Sequence, residues 1–309
     1  MYLLKRITWL LLLITSVAVQ AEVSSFYEAK KLAREQVYSD RNDVDRGTFY
    51  CGCSWEWAGR SGGVTKLESC GYSVRKQAHR AARTEWEHVL PAWSMGHQRQ
   101  CWQVGGRENC TDNDLVFAMM EADLHNLVPT VGEANADRSH YRFGLLPGAP
   151  AQHGQCEIRV DHKSRIFQPP EVARGQIARI YFYMHDRYNL KMSRQQQQLM
   201  MAWNQQYPVS KWERERDKRI AAIMGHHNPF VTGEKVWQLG HKNGGEGLFT
   251  SLPAAAPSEG SVRGNRNSRV YHLSEGCPSY DRVSVRNRIE FSSVAEAEAA
   301  GYRRAGNCR

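Results

Sequence analysis

Glu85-Trp86-Glu87-His88-Val89-Leu90-Pro91 is the densest run of chemistry-bearing side chains in this 309-residue chain. The spacing predicts a short strand from Glu85 to Ala92 that stops at Pro91, because proline cannot donate to a ladder. Neighbours on a strand point to opposite faces, so Glu87 and His88 share a cleft only where the strand ends or bends. Pro91 and the following Trp93 supply such an ending. A carboxylate for a hard cation beside an imidazole for a water is the pairing that phosphodiester hydrolysis needs. Taken alone, an adjacent Glu-His pair is also common on solvated surfaces.

Two further groups lie downstream. Glu121-Ala122-Asp123-Leu124-His125-Asn126-Leu127-Val128-Pro129 precedes Gly132-Glu133-Ala134-Asn135-Ala136-Asp137-Arg138, which is expected to open a helix after Pro129. Asn135 offers a carbonyl oxygen, a hard-cation ligand that adds no charge. Between the first and second groups, Cys101 and Cys110 bracket what reads as a loop containing Arg107. A disulfide across it would hold that guanidinium in place, and a fixed guanidinium suits a phosphate.

Around this centre the chain divides in four. Residues 1–21 read as a signal peptide: Lys5 and Arg6, the apolar run Ile7 to Val19, then small residues at Val19 and Ala21. The run is shorter than the roughly 20 residues that cross a bilayer, so a mature chain without membrane insertion is expected. Residues 22–242 read as one α+β domain with a helical majority. Phe26, Ala29, Leu32 and Ala33 repeat at helical spacing, and Gly47 to Tyr72 reads as irregular, cysteine-stapled structure. Pro169-Pro170 should begin a helix with Ile177, Ile180, Tyr181 and Met184 inward. Ser193 should cap a second, and Ser210 with Glu213 fits a capping box for a third. Residues 243–268, rich in Gly, Ala, Pro and Ser, read as a linker. A small unit of residues 269–309 follows.

All eight cysteines follow the leader, and an even count in an exported chain favours disulfides. Cys101 with Cys110 is the natural local pair; the first six cysteines allow 15 pairings in all. The formal charge of +9, or +7 without Lys5 and Arg6, favours phosphate-rich partners and argues against a polycationic substrate.

The run Glu85 to Trp93, followed by Gly96-His97-Gln98-Arg99-Gln100-Cys101, resembles the endonuclease I family. The likeness continues through Asp123 to Leu127, Val131 to Asn135, Ala173 to Arg179 and His227-Asn228-Pro229-Phe230, over roughly residues 25 to 231. The resemblance implies a periplasmic or secreted, monomeric nuclease with a ββα-metal (His-Me finger) site, cutting DNA, and RNA in several members, without strong sequence preference. It implies His88 as general base, Glu87 and Asn135 as ligands to Mg²⁺ (Mn²⁺ or Ca²⁺ as alternatives), Arg107 on the phosphate and Glu121 as a supporting carboxylate. An imidazole of ordinary pKa would make activity fall below about pH 6. Arg99, Arg107, Arg138, Arg174 and Arg179 are candidates for an electrostatic track along the phosphate backbone. Some members carry a cysteine near Trp212-Glu213-Arg214 and another near the domain end. This chain has neither, as if one bridge were lost.

The C-terminal unit, with Tyr271-His272-Leu273-Ser274-Glu275-Gly276-Cys277 and Gly301 to Cys308, resembles the metal-binding-type module named for the Ada DNA-repair protein. Cys277 and Cys308 either form a disulfide or bind a metal with His272; two cysteines in an oxidising compartment favour the disulfide. From Arg263 onward the unit carries nine arginines against five acids, which suits added affinity for nucleic acid. Two rival readings remain: a catalytically silent nucleic-acid-binding protein, and a metallohydrolase of another phosphoester with a deep, closed pocket.

Overall fold

A computed structural model describes residues 23, 25–44, 47–249, 262–291 and 293–308. The expected signal peptide and the middle of the expected linker lie outside the described residues. The first helix, α1 (Phe26–Leu32), is capped by Ser25, whose hydroxyl accepts from the Glu28 amide, and it runs on as a π-helical turn through Val37. A four-stranded antiparallel sheet then forms in the order β1 (Trp55–Ala58), β2 (Gly62–Thr65), β3 (Arg83–His88), β4 (Leu127–Val131). The segment expected to be irregular thus holds a β-hairpin. Short α2 (Ala78–Ala81) leads into β3; α3 (Ala92–Gly96), α4 (Gln100–Asn113) and α5 (Leu115–Ala122) fill the excursion from β3 to β4. Directly after β4 comes α6 (Gly132–Arg138), so β3, β4 and α6 form an antiparallel pair followed by a helix.

The β4–α6 corner has no room for a side chain. A Cβ on Gly132 would lie 2.5 Å from the Arg80 carbonyl oxygen. A second sheet, β5 (Arg142–Phe143), β6 (Arg159–Asp161) and β7 (Ile166–Gln168), leads to the helical bulk: α7 (Glu171–Arg187), α8 (Arg194–Gln206), α9 (Lys211–Met224) and short α10 (Pro229–Thr232). The expected caps are present: Ser193 accepts from the Gln196 amide at 3.2 Å, and Ser210 from the Glu213 amide at 3.0 Å. The Glu213 carboxylate does not close a capping box, because it is taken by Arg179 at 2.6 Å.

The two faces of the large sheet bury separate clusters. Trp86, Leu127 and the apolar side of α1 pack with Ile220 and Ile223 of α9. Val128 and Val131 face the main cluster, with Tyr50, Phe167, Ile177 and Phe182. Among the described residues no helix is long and apolar enough to cross a membrane.

Three further expectations change. The segment Cys101 to Cys110 is helical and not a loop; α4 kinks at Gly105-Gly106, where Gly106 takes φ +68°. The domain extends past 242, since α11 (Glu246–Phe249) packs on α7 and the Gly244 and Gly245 amides donate to Asp186. The C-terminal unit starts before 269: β8 (Val262–Asn265) is central to its sheet, between β9 (Val270–Leu273) and β10 (Arg288–Phe291), with β11 (Arg303–Arg304) parallel to β9 and α12 (Val294–Ala299) alongside. Its 285–287 turn rests on α4 and α5, and Arg286 pairs with Asp112 at 3.2 Å.

Disulfides join Cys51 to Cys156, Cys53 to Cys70, Cys101 to Cys110 and Cys277 to Cys308. The choice at Cys277 and Cys308 therefore falls to the disulfide, with His272 beside it.

Asn126 and Arg138 hold the chain after His88, and Asn126 does so at both polar groups of one residue. Asn126 Oδ1 accepts from the Leu90 amide at 2.7 Å and its Nδ2 donates to the Leu90 carbonyl at 2.9 Å, extending the ladder past the strand end. Substituting Asn126→Ala leaves both buried groups unpaired, and should lower stability by about 2–4 kcal/mol, read as a fall in the urea midpoint.

Candidate active site

The last two residues of β3 open two half-sites. His88 pairs with Leu127 and shares the α1 face, where its ring lies 4.7 Å from Phe26. Its Nε2 lies 2.8 Å from the Glu121 backbone carbonyl. A carbonyl only accepts, so Nε2 carries the proton and Nδ1 is left with a lone pair. Burial, then the Arg107 charge, pushes His88 down to about 3. The imidazole is therefore neutral over the whole physiological range. The expected loss of base near pH 6 does not follow, because the ring is not in the solvated setting that gives an ordinary pKa.

Arg107 is placed by its kinked helix and by the Cys101–Cys110 disulfide. Its Nε donates to Glu121 Oε1 at 2.6 Å, while Glu121 Oε2 accepts from Thr111 at 2.9 Å. The Arg107 side chain remains 45% exposed, and its hydrogen bond to Glu121 uses Nε alone. Glu121 thus works twice, holding the imidazole through its carbonyl and Arg107 through its carboxylate.

Glu87 and Asn135 lie on the other face. Asn135, half-buried on α6, donates from Nδ2 to Glu85 Oε2 at 3.0 Å, which turns Oδ1 the other way. Glu85 is already held by Arg80 and Arg83. Glu87 accepts from Tyr50 at 3.1 Å and lies 3.8 Å from Arg138 Nε. Burial dominates over Arg138 and Tyr50, and its carboxyl is pushed up to about 7. That carboxylate is short of positive charge. A buried carboxylate and a neutral amide oxygen suit a hard divalent cation that keeps most of its waters. The strand thus parts its two last residues: Asn135 is tied to Glu85 on the Glu87 side, while Glu121 bonds both His88 and Arg107 on the other.

Most of the expected arginine track is internal. Arg138 is fully buried, donating to the Val89 carbonyl at 3.1 Å; Arg179 is buried against Glu213, and Arg174 against Pro169 and Tyr207. Arg99 is paired with Asp114. Arg107 is the most exposed of the five and spends only its Nε on a carboxylate, Glu121, whereas the others are more buried and brace backbone and carboxylates. Two residues at the site carry no signal in the catalytic motifs: Phe26, whose spacing marks it as helix core, and Lys30, with Nζ 4.6 Å from the Phe26 ring centroid.

The model of the family described as Endonuclease I matches residues 25–234. A periplasmic deoxyribonuclease of Aeromonas hydrophila is 47% identical over 222 residues, spanning 72% of this chain and 91% of its own. An extracellular deoxyribonuclease of the same species is 53% identical over 185 residues, spanning 60% and 81%. An Endonuclease-1 of Buchnera aphidicola subsp. Baizongia pistaciae (strain Bp) is 45% identical over 210 residues, spanning 67% and 82%. The family match takes in β3, β4 and α6 together with all five residues of the two half-sites, and on that extent the chain belongs to the endonuclease I family.

Proposed function

We propose that the protein is an exported endonuclease that hydrolyses phosphodiester bonds of DNA, with β3, β4 and α6 as a ββα-metal (His-Me finger) site. The observation that carries this reading is the His88 Nε2 hydrogen bond to the Glu121 carbonyl. It leaves a neutral Nδ1 as the base for water at the strand end, with a guanidinium on the same face and hard oxygen donors on the other. The related deoxyribonucleases are named periplasmic or extracellular, and four disulfides suit such a compartment.

In this mechanism His88 Nδ1 takes a proton from the attacking water while Nε2 stays on Glu121. Arg107 receives the phosphate and offsets the charge that builds on it. Glu87 and Asn135 would hold the family's divalent ion, taken as Mg²⁺, which when bound supplies Lewis acidity to the phosphate oxygens. Contact with phosphate and not with base edges gives low sequence preference and leaves RNA as a second substrate. The arginine-rich C-terminal unit adds affinity, and its turn against α4 sets it near Arg107's helix.

Supercoiled plasmid should be nicked and then linearised by the oxidised protein in Mg²⁺. His88→Ala, or chelation of the metal, should abolish cleavage; binding without cleavage by the native protein in Mg²⁺ and Mn²⁺ would favour the silent-protein alternative.

The pH profile should separate base from ligand. His88 is lowered, so its base form persists as pH falls; Glu87 is raised, so its ligating carboxylate is lost as pH falls through about 7. An acid limb should therefore appear near neutrality and move to lower pH as Mg²⁺ is raised. A limb fixed at one pH whatever the metal concentration would return it to the imidazole.

A chain ending at residue 249 should keep its kcat and show a higher KM on DNA, the gap narrowing as salt rises.

A further inference from the structure

On the α1 face of β3 the charges do not balance. Lys30 Nζ lies 4.6 Å from the centroid of Phe26, Arg107 Cζ lies 5.5 Å from the same centroid, and the His88 ring lies 4.7 Å away. One phenyl ring thus gathers two cations and the neutral imidazole. Glu121 is the acid of this group, and both its oxygens are in use, on Arg107 and Thr111. Among the described residues no carboxylate comes within 4.0 Å of Lys30, and the outer nitrogens of Arg107 make no hydrogen bond.

A lysine with a long, mobile stem normally carries its ammonium into water. Lys30 instead is half-buried, and burial followed by the Arg107 charge pulls its amine below the ordinary range. Its neighbour Lys31 is exposed. Two like charges drawn partly out of water raise the energy of the free protein, and an anion between them removes that penalty. The imidazole that would activate water stands beside the pair, so the anion that fits is a phosphodiester of the nucleic-acid backbone.

We propose that Lys30 is a second phosphate-binding residue of the active site, gripping the backbone together with Arg107, with Phe26 setting both cations and His88 in register. The inference rests on the nuclease reading of His88. It makes α1, the first helix of the described chain, part of the substrate site and not only of the core. It also adds sequence-independent affinity, since a point charge on a phosphate reads no base.

The test is binding of a labelled DNA duplex to full-length oxidised protein carrying His88→Ala, followed by anisotropy across a range of NaCl concentrations. Lys30→Met, Lys30→Arg and Lys31→Met are added to that background. Lys30→Met should weaken binding about tenfold near 0.15 M salt. It should also lower the slope of log affinity against log salt by about 1. Lys30→Arg should restore both, and Lys31→Met should leave the slope unchanged. A slope unchanged by Lys30→Met overturns the proposal, whether or not affinity or melting temperature falls, because a purely structural role does not alter the count of phosphate contacts. If the His88→Ala background still cleaves DNA, the assignment of His88 as base fails instead; if it is inert and the slope does not move, the Lys30 role alone is lost.

Discussion

The hydrogen bond between His88 Nε2 and the Glu121 carbonyl is the constraint on which the rest of the site depends. It sets the tautomer, aims Nδ1 outward and ties the end of β3 to the end of α5. An imidazole in solution would share its proton between both nitrogens and charge near neutrality. Here the neighbouring backbone removes the first freedom, and burial with Arg107 removes the second. Because a carbonyl carries no charge, it orients the ring while raising its pKa less than burial and Arg107 lower it; a carboxylate in the same place would pull the pKa up further.

The surrounding domain holds that geometry with buried polar side chains used as backbone braces. Asn126 continues the ladder beyond His88, Arg138 donates to the Val89 carbonyl, and Arg216 of α9 donates to the carbonyls of Leu124, His125 and Leu127. Asp123 accepts from Tyr183 and Tyr188, fixing the turn into β4 from the α7 side. Each brace satisfies carbonyls that would be orphaned where strands end, and buried orphans are costly. Irregular backbone around an active site can then be rigid. The Cys101–Cys110 disulfide does the same for the kinked helix that carries Arg107, in a segment with little apolar surface of its own.

What the sequence makes legible is the local part. The helix from Phe26, the helix after Pro170 and the serine caps at 193 and 210 follow from spacing and capping chemistry that act within a few residues. The Cys101–Cys110 pair is local too. Cys51 with Cys156, 105 residues apart, is not, because nothing near either cysteine names its partner. Arginines were the least legible residues: Arg138, Arg174 and Arg179 read as surface charge, while their burial depends on carbonyls and carboxylates supplied by distant segments. Phe26 and Lys30 were hidden for the opposite reason. Their helical spacing accounts for them as an ordinary amphipathic helix, and only the packing of α1 on β3 brings them to His88. The resemblance named the five site residues, but the division of Glu121 between its carbonyl and its carboxylate needed the fold.

The most direct test of the account is the protonation state of the His88 ring, read by ¹⁵N NMR of ring-labelled protein and assigned by its loss in His88→Ala. The account predicts a neutral ring with the proton on Nε2 and a bare Nδ1 throughout the range from about pH 5 to about pH 8. A proton on Nδ1, or a titration midpoint near the ordinary value of about 6.5, would contradict it.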